Sequence, residues 1–167
     1  MKELDCLFIG SSTKDILMLV EAPPASDQRI AARQLEITCG GVSAIAGAAH
    51  QSLHGVTGVI TALGDDDTSH FVEAFLARQN FAYAKLFTFP GQASSTSLVQ
   101  VEENGKRCLS CYGGCIDRLT FDMLDKEVFH PLCASRRDAA PAHAGYLPLL
   151  QGEHECYRVH RFRKSVP

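Results

Sequence analysis

Three short stretches of the 167-residue chain hold residue types that can do chemistry at workable spacings. The first is Gly10-Ser11-Ser12-Thr13-Lys14-Asp15, the second Cys39-Gly40-Gly41, the third Gly64-Asp65-Asp66. A single carboxylate can accept charge-assisted hydrogen bonds from two adjacent hydroxyls, the arrangement a sugar or other polyol presents. Asp15, shortly after a strand end, is placed for that; the competing reading is a solvated acid at a strand edge. Gly40-Gly41 lets backbone come close to a ligand where a Cβ would collide, and it leaves free N–H groups at the helix start that follows. A plain tight turn would need the same glycines. Asp65 and Asp66 precede a helix, where acids are favoured by the helix dipole, and are read as structural.

A fourth stretch, Cys108-Leu109-Ser110-Cys111-Tyr112-Gly113-Gly114-Cys115, invites a metal reading, with Cys133, Cys156, His143, His154 and His160 as further ligands. Cys108 and Cys111 fall in a run that reads as a β-strand, where an odd separation sends side chains to opposite faces. A zinc knuckle needs a turn between its cysteines, and Leu109-Ser110 is not one. Buried or incidental thiols are therefore preferred to structural zinc. An odd count of seven cysteines behind the acidic start Met1-Lys2-Glu3-Leu4-Asp5 points to reduced thiols and a cytoplasmic location.

Composition narrows the function class. With 46% hydrophobic and 21% charged residues the chain is suited to one folded domain, and no apolar run approaches the ~20 residues that span a bilayer. A net charge of -3 excludes a dedicated nucleic-acid binder, whose affinity rests on neutralising phosphates.

The elements that must position these residues follow from pattern. Strands are expected at Leu4 to Ile9, Asp15 to Glu21, Arg33 to Thr38 (half exposed), Thr57 to Leu63 and Tyr83 to Phe87. An Ala-rich helix from Ser43 to Leu53 could pack very closely against a sheet. Thr68 is the expected cap of a helix that buries Phe71, Val72, Phe75 and Leu76. Ser95–Val101 and Lys106–Tyr112 form a hairpin, because Asn104-Gly105 suits a turn in which both central residues take positive φ. A further helix is expected after Thr120, burying Met123, Leu124 and Val128. Up to Cys133 there are 10 basic and 16 acidic residues, against 6 and 3 beyond it. The expected division is therefore 1–133 and a divergent tail, 134–167, that is solvated or poorly ordered, with a phosphate or membrane contact as the other reading of its basic charge. The fold class is α/β, with a smaller antiparallel flap.

In their order and spacing these features resemble the N-terminal half of the PfkB family of carbohydrate kinases, the ribokinase-like sugar kinases. A strand ends in Gly, an Asp stands five residues on, a Gly-Gly turn enters an Ala-rich helix, and Gly-Asp-Asp precedes another helix; Gly40 and Gly64 lie 24 positions apart. The hairpin from Ser95 to Arg107 looks like the family's lid, and the resemblance covers about residues 4 to 125. It implies a ribokinase-like partial three-layer sheet with a small β lid, and ATP-dependent phosphoryl transfer to a sugar hydroxyl. It also implies ATP with Mg²⁺, a small-molecule sugar as partner, and Asp15, Gly40 and Gly41 as substrate-binding residues; exposed lid edges, as sites for strand addition between subunits, suit a homodimer through the lid strands. The chain departs from the family's pattern in several places. Ile45 stands where the family's helix carries a sugar-binding Asn; Ser43 and Gly47 miss the usual types, and His54 occupies an expected Gly. The family's later Gly-Ala-Gly-Asp, which holds the general base and the phosphoryl anion hole, is absent, so no catalytic residue is assigned. The isolated chain is expected to be inactive and, with apolar sheet edges uncovered, poorly soluble or oligomeric. A non-catalytic remnant that binds sugar or pairs through its lid is the alternative.

Overall fold

The computed structural model describes residues 4–125 and residue 127. The expected boundary at Cys133, the tail, Val128, Cys156 and the histidines at 143, 154 and 160 lie outside the described residues. The chain divides into two compact units, Met1–Leu119 and Thr120–Pro167.

The first unit contains two sheets. Strands β1 (Cys6–Ile9), β4 (Thr57–Leu63) and β5 (Tyr83–Thr88) form a parallel sheet in the order β1-β4-β5. Strands β2 (Thr13–Val20), β3 (Gln34–Gly40), β6 (Thr96–Glu102) and β7 (Arg107–Tyr112) form a second sheet, order β3-β2-β6-β7, with β2 and β6 parallel and both outer pairs antiparallel. Helix α1 (Val42–Ser52) connects β3 to β4, and α2 (Asp67–Arg78) connects β4 to β5.

The core gathers around β4, all seven residues of which are buried. Its continuous apolar character is what a parallel strand covered on both faces requires. Val59 and Leu63 pack with Ala44 of α1, Val72 and Leu76 of α2, and Cys39 at the end of β3; Phe8, Phe71, Phe75, Phe81 and Leu86 close over them. The expected close approach of the Ala-rich helix is present: a Cβ at Gly47 would lie 2.7 Å from Val59 Cγ2. Among the described residues no helix is long and apolar enough to cross a membrane.

Four expectations are corrected. The flap is a four-stranded sheet rather than a hairpin alone, because β2 and β3 belong to it. The apolar run Ile16–Leu19 resembles a core strand in sequence, yet each of its residues is only half-buried. The cap of α2 is Asp66, not Thr68: Asp66 has extended backbone, and its carboxylate accepts from the Ser69 amide at 2.9 Å. At the hairpin tip only Gly105 takes positive φ (83°), while Asn104 accepts from the Lys106 amide at 2.8 Å and donates to Glu102. The Gly105 N–H bonds Glu102 O and the Glu102 N–H bonds Lys106 O, which is a type I turn closed by a glycine bulge. In the second unit the helix expected after Thr120 is one 3-10 turn, Phe121–Met123, with Met123 and Leu124 half-buried. No side chain caps that turn.

Candidate functional site

Asp15 is the third residue of β2, an inner strand of the lid sheet, and is half-buried. It does not sit on a sheet edge. Register places Thr38 beside it on β3 and Ser97 beside it on β6, with Cys111 of β7 next to Ser97. Cross-strand partners share a face, so Thr38, Asp15, Ser97 and Cys111 form a polar row across one surface of the lid. The next row on that surface is Glu36, Leu17, Val99 and Leu109.

The carboxylate leans toward Gly40. Thr13 Oγ1 donates to Asp15 Oδ1 at 2.7 Å. A Cβ built on Gly40 would stand 2.7 Å from Oδ1 and nearer still to Oδ2. No other hydrogen bond to this carboxylate is found among the described residues, so Oδ2 retains its accepting capacity. Gly41 follows as the residue before α1, with φ of 86°, and a Cβ there would lie 2.7 Å from the Ser11 carbonyl carbon and 2.8 Å from Ser12 Cα. The chain's own atoms therefore demand both glycines: Gly40 makes room for Asp15, and Gly41 for the loop that leaves β1.

That loop is stapled to α1 by hydroxyls the sequence reading left without a role. Ser43 Oγ lies 2.9 Å from the carbonyl oxygens of both Gly10 and Ser11 and 3.0 Å from Ser12 Oγ, and the Ser43 N–H donates to Ser11 O at 3.0 Å. Ser12 and Ser43 are both fully buried. Buried hydroxyls are costly unless paired, so this cluster fixes the loop and the helix start in one arrangement. The available signal was the run of small hydroxyl residues beside Gly10.

The neighbouring thiol feels the same carboxylate. Burial, and secondarily the Asp15 charge, push the Cys39 thiol up to about 12. Lys14, adjacent in sequence but on the opposite face, holds its ammonium 5.6 Å from the centre of the Phe71 ring.

The Gly64-Asp65-Asp66 stretch has a structural role, as expected. Both Asp65 oxygens lie 3.0 Å from the Gly91 amide. Asp66 accepts from Ser94 N (2.8 Å) and Ser94 Oγ (2.7 Å) as well as Ser69 N, while the Gly64 amide donates to Ser94 Oγ at 2.9 Å. Partial burial would raise the Asp66 carboxyl, but these hydrogen bonds prevail and hold it below its ordinary value. Cys108 and Cys111 do lie in a strand, β7, and both are exposed. Among the described residues no group of three or more His, Cys, Asp or Glu side chains could hold a metal ion.

No protein-family model matches the sequence, and no curated protein matches it. Solved structures do. A ribokinase from Giardia lamblia superposes with a TM-score of 0.64 over 71% of this chain, at 20% identity. The fold is ribokinase-like. An Arabidopsis thaliana ribokinase complexed with ribose and ATP matches with a TM-score of 0.53 over 65% of the chain, at 20% identity. A Burkholderia thailandensis nucleoside kinase in complex with inosine matches with 0.54 over 65%, at 16% identity. The match covers 36%, 35% and 36% of those three proteins, so this chain spans little more than a third of their length. Within the ribokinase-like fold, Asp15 and the Gly40-Gly41 bend meet where the lid sheet joins α1.

Proposed function

We propose that this chain is the substrate-and-lid part of a PfkB-type carbohydrate kinase. In this reading Asp15 is the sugar-binding group, and its Oδ2 accepts from a hydroxyl while Thr13 holds Oδ1. The observation that carries it is the seating of the Asp15 carboxylate on Gly40, at the foot of the lid and beside the Gly41 turn. The Gly40-Gly41 backbone lines the same spot. The solved relatives bound to ribose with ATP, and to inosine, have the matching fold and support a sugar or nucleoside hydroxyl as acceptor.

Phosphoryl transfer from ATP belongs to the whole kinase rather than to this part. The general base and anion hole of a Gly-Ala-Gly-Asp element are not in the sequence. No step through ATP or Mg²⁺ can be assigned to the residues present. The chain alone binds without transferring, in a reducing cytoplasm suited to its exposed thiols. Isothermal titration with a panel of free sugars tests the binding role. Saturable heats that vanish in Asp15→Ala support it; equal heats in both proteins remove Asp15 from the site.

A second reading, pairing of two copies through their lids, is favoured by the exposure of Leu35 (56%) and Ile37 (44%) on the edge strand β3. Sedimentation of the wild type against Ile37→Lys decides it, a dimer that falls to monomer being the supporting result.

A further inference from the structure

A cleft lies at the far end of α1 from the glycine bend. Its volume is about 310 Å³, and Gln51, His54, Gly55, Val56, Asn80 and Ala82 line it. These residues belong to the loops that lead from α1 into β4 and from α2 into β5, so the cleft opens at the N-terminal ends of those strands. The length of α1 sets it about 16 Å from Gly41. Its walls are firmly held. The His54 N–H bonds Gln51 O at 3.0 Å and the Gly55 N–H bonds His50 O at 3.2 Å, which closes the end of α1. The Ala82 N–H bonds Thr57 O at 2.9 Å and ties the second loop to β4. His54 and Asn80 take positive φ (65° and 54°), each one residue past its helix's C-cap, so both helices end at the cleft.

Three polar side chains here, Gln51, His54 and Asn80, have no hydrogen-bond partner among the described residues. Gln51 is half-buried and its Oε1 is shut off from solvent, a position in which acceptors are rarely left unpaired. A turn of its terminal amide, a soft torsion, presents that oxygen to the cleft. The charge that suits the site follows from its surroundings. The last carbonyls of two helices favour a cation. The Asp5 carboxylate accepts from the Val56 amide at 2.7 Å, which adds a full negative charge beside the lining, and neither Lys nor Arg is among the lining residues. Val56 and Ala82 add apolar surface. We propose that this cleft binds a small organic cation with a flat head that only donates, a guanidinium. Its fork of N–H groups matches the amide oxygens of Gln51 and Asn80, where the compact ammonium of an amine has the charge without the planar geometry. The site stands apart from Asp15 and is independent of the carbohydrate reading.

The test is titration of the full chain with butylguanidinium, butylammonium and neutral butylurea, one alkyl group carrying three heads. The wild type should bind butylguanidinium about tenfold more tightly than either of the others, a difference of about 1.4 kcal/mol. Gln51→Leu and Asn80→Gly should each weaken it about fivefold or more. Both variants keep the fold: leucine preserves the helix while removing an unpaired acceptor, and glycine takes positive φ freely. Their melting temperatures should match or exceed that of the wild type. A large fall in Gln51→Leu would show that its amide already has a structural partner, and overturns the proposal. Equal affinity for butylurea overturns the role of charge, and equal affinity for butylammonium that of the planar head. Undiminished binding in both variants, or binding lost in Asp15→Asn, puts the cation elsewhere and overturns the assignment. No saturable heat with any of the three probes at millimolar concentration overturns it too, with water left as the partner of Gln51.

Discussion

The carboxylate of Asp15 occupies the space that a side chain on Gly40 would need. The two residues lie on neighbouring strands, with Asp15 in register with Thr38 and Gly40 with Thr13. Gly40→Ala should therefore destabilise the chain through overpacking, by about 1–3 kcal/mol. Most of that cost should disappear in an Asp15→Ala background, since the colliding group is gone. Urea denaturation of the four proteins of this cycle measures the coupling. An equal cost of Gly40→Ala in both backgrounds would mean that something other than Asp15 fills the space.

Asp66 couples α2 to the segment before β6 by accepting three hydrogen bonds from Ser69 and Ser94. In Asp66→Asn an amide oxygen can still cap α2, but the amide NH₂ faces the Ser94 N–H and leaves that donor unmatched. A loss of about 1–3 kcal/mol is expected at neutral pH. The pH dependence has a fixed sign. The folded carboxyl is held below its unfolded value of about 3.9, so its contribution is complete above that pH and is lost as pH falls through the folded value. Denaturation midpoints followed downward from pH 5 should fall less steeply in Asp66→Asn than in the wild type. Parallel curves would remove Asp66 as a source of acid lability.

Thiol chemistry separates the described cysteines. Cys39 is pushed up to about 12, so at pH 8 only about one molecule in ten thousand carries its thiolate, and the thiolate is the reactive form. Cys115 is buried and is also raised by burial. Cys108 and Cys111 are exposed on β7. Brief iodoacetamide treatment followed by peptide mapping should label Cys108 and Cys111 and spare Cys39 and Cys115 until denaturant is added. Replacing Asp15 with Asn removes the nearby charge and should hasten labelling of Cys39. Labelling of Cys39 at the rate of Cys111 in the native wild type would contradict its placement in the core.

What the sequence makes legible here is whatever short-range pattern decides. The run Thr57–Leu63 reads as a buried strand because both its faces are covered, and Asn104-Gly105 marks the hairpin even though its turn is a type I turn with a bulge. The membership of β2 in the lid is not legible, since a strand half-buried on both faces and a core strand share one apolar pattern. Thr68, the expected cap, lies in the first turn of α2, and Ser94, 28 residues beyond Asp66, helps to fix Asp66 in the capping position instead. At the candidate site, Asp15 and the glycine pair come together as their spacing suggests. That Gly40 serves Asp15 itself, and that Ser12 and Ser43 lock the loop, depends on contacts between segments about 25 to 32 residues apart, which no local pattern carries.

The closeness of α1 to β4 yields a prediction in which two effects of opposite sign compete. Gly47 sits inside α1, where replacement by Ala improves helix propensity by about 1 kcal/mol. The added methyl would lie 2.7 Å from Val59 Cγ2 and 3.3 Å from Phe81 Cζ. Val59 is fully buried and, being β-branched, has little rotamer freedom to retreat. Overpacking of this kind costs about 1–3 kcal/mol, so the clash should win and Gly47→Ala should lower the melting temperature. Pairing it with Val59→Ala removes the colliding methyl and lets the new one fill part of the cavity. The double variant should therefore be more stable than Val59→Ala alone, which reverses the sign of the Gly47→Ala effect. Thermal unfolding of the four proteins reads both signs, and a Gly47→Ala chain more stable than the wild type would show that α1 is not seated on Val59 at that distance.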